Sequence, residues 1–158
     1  MPVSLEHLNS ASSDDFVVAL KTIFEHSPWV AAAVAPRRPF VSLASLFSTM
    51  SAAVRSASSA KRLELINCHP DLAGKAARAS ALTAESKYEQ GSAGLDRLSD
   101  AEYDLFQRLN GAYRQKFGIP FIICVRRHTK DSILRQFELR LKHTAEAEHE
   151  TAINEILR

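Results

Sequence analysis

"SDAEYDLFQRLNGAYRQKFGIPFIICV", Ser99 to Val125, decides the fold, because its two halves argue for different structures. In the first half, Ser99 and Glu102 have the three-residue spacing of a capping box. Gly118 stands where a left-handed residue closes a helix. The second half, Ile119–Val125, is β-branched and aromatic with no helical polarity, and by pattern alone it is a buried strand. No second convincing strand exists elsewhere in the chain to pair with it. The run is therefore expected to be a buried extended connector or the start of a helix, and the chain is expected to be all-α.

The flanking sequence agrees. After Val125, "TKDSILRQFELRLKH" and "TAEAEHETAINEILR" read as two helices capped by Thr129 and Thr144. Before Ser99, "SSDDFVVALKTIFEHS" carries Phe16, Val17, Leu20, Ile23 and Phe24 at helical spacing. "PWVAAAVAPRRPF" is a short apolar piece closed by Pro36 and Pro39. "SLASLFSTMSAAVRSA" reads as a helix with Leu43, Leu46, Phe47, Met50 and Val54 inward. "SAKRLELINCH" is another, offering Leu63, Leu65 and Ile66 to the core. The expectation is a single domain over residues 1–158, all-α, with about seven to eight helices and one buried extended segment.

Composition bounds the function. The chain has 158 residues, 46% hydrophobic and 24% charged, with a net charge of +2 from interleaved acids and bases. That balance, and tyrosines that form no series with basic residues, give no support to nucleic-acid binding. No apolar run approaches the ~20 residues of a membrane span. "MPVSLEHLNS" has neither a basic start nor an apolar core, so no signal peptide is expected. Cys68 and Cys124 lack metal-ligand spacing and read as two thiols of a reducing compartment, hence a cytoplasmic protein. The six histidines include no H-x-x-x-H pair, so no metal is expected.

Three stretches could carry chemistry. His69 precedes Pro70, whose ring keeps it out of the helical region. At the end of a helix the dipole favours an imidazolium by up to ~2 kcal/mol. His69 is thus either a cap on helix carbonyls or a proton donor near neutral pH. In "ESKYEQ", Ser86, Glu89 and Gln90 share one helix face. They are either a solvated face or a reader of a small polar ligand. The backbone of Ile119–Val125 offers polar groups that no helix consumes, and these must find partners. Either the core or a ligand supplies them.

Taken in order, "HPDLAGKAA" (69–77), "LTAESKYEQGSAGLDRLS" (82–99) and "LNGAYRQKFGIPFIICVR" (109–126) resemble the 2-oxo-4-hydroxy-4-carboxy-5-ureidoimidazoline (OHCU) decarboxylase family. "HSPWVAAAVAPRRPF" (26–40) is similar as well, so the resemblance spans nearly the whole chain. It implies a cofactor-free carboxy-lyase of purine catabolism that converts OHCU, formed from uric acid, to (S)-allantoin. It also implies an all-α homodimer whose only other partner is this small-molecule substrate. Carried over, the catalytic histidine falls on His69 and the neighbouring substrate contact on Pro70; Glu89 is expected to join His69 in catalysis because its negative charge would favour the imidazolium or hold a substrate N–H. The "ESKYEQ" contacts fall on Ser86, Lys87, Tyr88, Glu89 and Gln90, and the backbone contacts on Phe121, Ile122, Ile123, Cys124 and Val125. The family pattern runs on past the last helix to a substrate-binding arginine that Arg158 does not match. The natural protein is therefore expected to continue beyond Arg158. Two alternatives remain: a non-catalytic all-α interaction domain, and a lyase or hydrolase acting on a related cyclic ureide.

Overall fold

The computed structural model describes residues 3–74 and 83–158. Among the described residues there are nine α-helices, two 3-10 turns and no strand. The chain forms two compact units, one ending at Cys68 and the other starting at His69.

The first unit contains α1 (Leu5–Ser10), α2 (Ser13–Leu20), α3 (Trp29–Val34), α4 (Leu43–Ser56) and α5 (Ser59–Asn67). The hydroxyls of Ser4, Ser12, Ser42 and Ser58 each accept an N–H three residues on, which starts four of these helices. The core row of α4 is Leu46, Met50 and Val54, at i, i+4 and i+8. Several apolar residues depart from the sequence expectation. Helix α2 stops at Leu20, and Ile23, in the turn that follows, is 53% exposed. Leu43 and Phe47 are rotated off the Leu46 row and are also exposed, as is Leu63 on α5. Phe47 nonetheless stacks on the buried Phe24, with ring centroids 6.5 Å apart.

The second unit contains α6 (Ala84–Ser92), α7 (Asp100–Phe117), α8 (Lys130–Arg140) and α9 (Ala145–Ile156). Thr83, Ser99, Thr129 and Thr144 cap their N-termini. Ser99 and Glu102 form the complete capping box, and Gly118 closes α7 at φ 70°. Glu102 also pairs with Lys130. That hydrogen bond, with the one from the Ser99 N–H, lowers its carboxyl pKa to about 2. Residues 119–124 are neither helix nor strand, and a 3-10 turn follows at Val125–Arg127. The run is strand-like in composition because it is buried on several sides. Phe121 stacks on Phe137 of α8 at 3.7 Å between centroids and meets the edge of Tyr113 of α7 at 5.2 Å.

Candidate active site

The second unit holds a pocket lined by His69, Pro70, Leu72, Ser86, Glu89, Gln90, Phe121, Ile122, Ile123 and Val125. Three pieces of chain build it.

The first is the turn that follows His69–Pro70. One face of α7 presents Gln107, Asn110 and Arg114, at i, i+3 and i+7. Gln107 Nε2 donates to the Ala73 carbonyl at 3.0 Å and Asn110 Nδ2 to the Leu72 carbonyl at 2.8 Å. Arg114 Nε meets Asp71 Oδ1 at 2.8 Å. Ala73 adopts φ +49°, uncommon for a residue with a side chain. Its N–H donates to Gln90 Oε1 at 2.9 Å, so the turn is held from both sides. Gly74 closes it because a Cβ there would lie 2.9 Å from that of Asp71. The glycine answers a close approach rather than a left-handed backbone.

Helix α6 is the second piece. Ser86, Glu89 and Gln90 line the pocket from one face, as their i, i+3, i+4 spacing requires. Lys87 and Tyr88, between them in sequence, turn to other faces. Both are exposed, Tyr88 by 77%, and neither lines the pocket. Gln90 is buried and its oxygen already accepts from the Ala73 N–H, which engages one of that oxygen's two lone pairs and aims the amide donors away from the turn. Glu89 is half exposed, and Arg126, on the 3-10 turn against which α6 lies, approaches it at 3.9 Å.

The third piece is the run after Gly118. Phe121, Ile122, Ile123 and Val125 line the pocket, and Cys124 does not. The Ile122 carbonyl accepts from Arg140 Nη1 at 2.6 Å, and the Cys124 N–H donates to Glu155 Oε2 at 2.8 Å. Arg140 in turn pairs with Glu148 at 2.8 Å, the two side chains 4% and 0% exposed. Tyr113 Oη donates to the same carboxylate, and His143 Nδ1 lies 2.7 Å from its other oxygen. Burial pushes the Glu148 carboxyl upward, but the bonds from Arg140, Tyr113 and His143 outweigh it and hold the group below its ordinary value. Burial, and then the carboxylate it serves, push the Tyr113 hydroxyl well above the ordinary tyrosine range.

Of the residues singled out in the sequence, the pocket thus gathers His69, Pro70, Ser86, Glu89, Gln90, Phe121, Ile122, Ile123 and Val125. Lys75–Ala77 of the first block and Leu82 of the second lie outside the described residues. Sequence reading missed Leu72, the α7 trio Gln107, Asn110 and Arg114, and the buttress of Arg140, Glu148 and Glu155. A signal existed for the trio: three polar residues on one face of an otherwise amphipathic helix. Among the described residues no cluster of three His, Cys, Asp or Glu side chains is arranged to hold a metal ion.

Residues 9–158 match the family model described as OHCU decarboxylase. The chain is 42% identical over 154 residues to the 2-oxo-4-hydroxy-4-carboxy-5-ureidoimidazoline decarboxylase of Halalkalicoccus jeotgali, covering 98% of this chain and 85% of that one. Among solved structures it is similar to an (S)-allantoin synthase, with a TM-score of 0.76 and 32% identity. That match covers 98% of this chain but only 50% of the other. It shares its fold with an OHCU decarboxylase crystallised in the presence of (S)-allantoin. There the TM-score is 0.69 at 20% identity, covering 93% and 91% of the two chains.

Proposed function

The chain belongs to the OHCU decarboxylase family, and we propose that it decarboxylates OHCU to (S)-allantoin in uric acid degradation without a cofactor. The observation that carries this reading is the pocket itself. An imidazole, a hydroxyl, a carboxylate and a carboxamide line it together with residues of the non-helical run after Gly118.

The chemistry needs little more. When the bond to the carboxylate breaks and CO₂ leaves, the electron pair is taken up by the neighbouring unsaturated ring carbon and nitrogen. The result is an enol-like intermediate. The protein must stabilise that charge with donors and deliver one proton to one face. His69 is the proposed donor. Its imidazolium gives up the proton, and the side on which it stands sets the S configuration. Glu89 is the proposed partner, its negative charge favouring the imidazolium or holding a substrate N–H. Ser86 and the amide donor of Gln90 are suited to the ureido and ring oxygens. Further polar contacts are proposed from the Phe121–Val125 backbone, from groups other than the Ile122 carbonyl and Cys124 N–H that Arg140 and Glu155 hold, with Pro70 closing the pocket beside His69.

A homodimer, implied by the family resemblance, belongs to the same proposal. Sedimentation at micromolar concentration tests it. A cytoplasmic location also belongs here, as the compartment that suits the free thiols Cys68 and Cys124. Among the described residues no helix is long and apolar enough to cross a membrane.

The test is incubation with freshly generated OHCU, followed by optical activity. Fast appearance of a single allantoin enantiomer is expected. Decay at the spontaneous rate to racemic product would point instead to an interaction domain. A different product would point to a lyase or hydrolase of a related cyclic ureide.

A further inference from the structure

The pocket wall after Gly118 is held from behind at two points. The Ile122 carbonyl is bound by Arg140, and the Cys124 N–H by Glu155. These groups are two residues apart, the spacing at which an extended chain presents the same edge again. In an extended run the residue between two such groups presents its own N–H and C=O on the opposite edge, and here that residue is Ile123, which lines the pocket.

Glu155 is oddly placed for a residue without a task. It sits in the last turn of α9, where the helix dipole disfavours an anion. Its side chain is only 9% exposed. It is kept there by two bonds, one from the Cys124 N–H and one from Arg158 Nη1, which reaches Glu155 Oε1 at 2.7 Å.

We propose that Glu155 is a positioning residue for the ligand pocket: steadied by Arg158, it clamps the Cys124 amide from behind, and with Arg140 at Ile122 fixes the opposite backbone edge for hydrogen bonding to the ligand. This rests on the decarboxylase reading for the identity of the ligand but not for the clamp. Glu155 touches no reacting atom in this account. It acts through the backbone it holds.

Glu155→Ala removes the clamp, whereas Glu155→Gln retains an acceptor oxygen for the amide. Three readouts decide: the steady-state constants for OHCU, amide hydrogen exchange at Cys124, and helical circular dichroism. The expected result for Glu155→Ala is faster exchange at Cys124 and a roughly tenfold loss of kcat/KM, about the effect of one hydrogen bond to a charged group. The circular dichroism should be unchanged, and Glu155→Gln should lie within about twofold of the wild type on the same scale. Unaltered constants in Glu155→Ala, equal impairment in both variants, or a loss seen only where the helical signal has gone would each overturn the proposal. A wild-type protein that does not accelerate OHCU decay would sink the decarboxylase reading instead. Exchange at Cys124 in the two variants would then decide the clamp by itself.

Discussion

Replacing Arg140 with methionine tests the buttress behind the pocket most severely. Methionine keeps the unbranched apolar stem of the side chain but not the guanidinium that lies over the rings of Phe121 and Tyr113. It removes the guanidinium that pairs with Glu148 at 2.8 Å and binds the Ile122 carbonyl at 2.6 Å. The Glu148 side chain is 0% exposed, so its carboxylate has no recourse to water. Breaking one partner from such a pair costs about 3–5 kcal/mol, because the remaining charge is left buried. The remaining bonds from Tyr113 and His143 argue for the lower end. Against a total stability of about 5–15 kcal/mol, even 3 kcal/mol is conspicuous in a urea titration.

The pH dependence carries a sign that can be checked. The folded Glu148 pKa lies below its unfolded value, so the pair stabilises the wild type fully above the ordinary carboxylate range. That contribution is lost as pH falls through the folded value. In Arg140→Met the guanidinium no longer opposes burial. The folded pKa should then rise above the unfolded one, and the variant should gain stability relative to wild type as the solution is acidified. Adding Glu148→Leu should recover most of the loss, since an apolar replacement leaves no buried charge. A single variant within 1 kcal/mol of wild type, or a double variant no better than the single, would refute the reasoning.

Three further outcomes are expected. His69→Ala and His69→Asn should each lose at least ~10²-fold of the decarboxylation rate, the low end for a general acid, and near wild-type turnover in both would remove His69 as the proton donor. Gly74→Ala should weaken the turn that carries Leu72 and Pro70 towards the pocket, because its Cβ would lie 2.9 Å from that of Asp71. A lowered melting temperature with a raised KM is the expected signature, and unchanged values of both would show that the turn absorbs a methyl group. The Glu102 carboxyl should titrate at about 2 by NMR, so the stability it lends is complete above the usual glutamate range and is lost progressively as pH falls from that range through about 2; Lys130→Met should move the midpoint back towards that range, and an unmoved midpoint would show that Lys130 is not the cause.

The parts of this molecule that were legible in the sequence are those fixed by short-range rules. Ser99, Glu102 and Gly118 define α7 because a cap needs a hydroxyl at one position and a left-handed backbone at another. Ser86, Glu89 and Gln90 were legible as one face because helical spacing leaves no choice. What escaped was decided by partners far along the chain. The run at Ile119–Val125 has a strand's composition because Phe121 must fill a space among Tyr113 and Phe137, and nothing local announces that an arginine 18 residues on will take the Ile122 carbonyl. Gln90 shows the limit most sharply. Its position on the pocket face follows from periodicity, but its oxygen is engaged by Ala73, 17 residues earlier. A carboxamide that looked free to read a ligand with both ends therefore has its acceptor end already shared with the backbone. The same accounting applies to the backbone: the Cys124 N–H, which the sequence offered to a ligand, is spent on Glu155. The ligand-binding capacity of this pocket is what remains after the fold has taken its share of each polar group, and that remainder is set by residues whose spacing carries no motif.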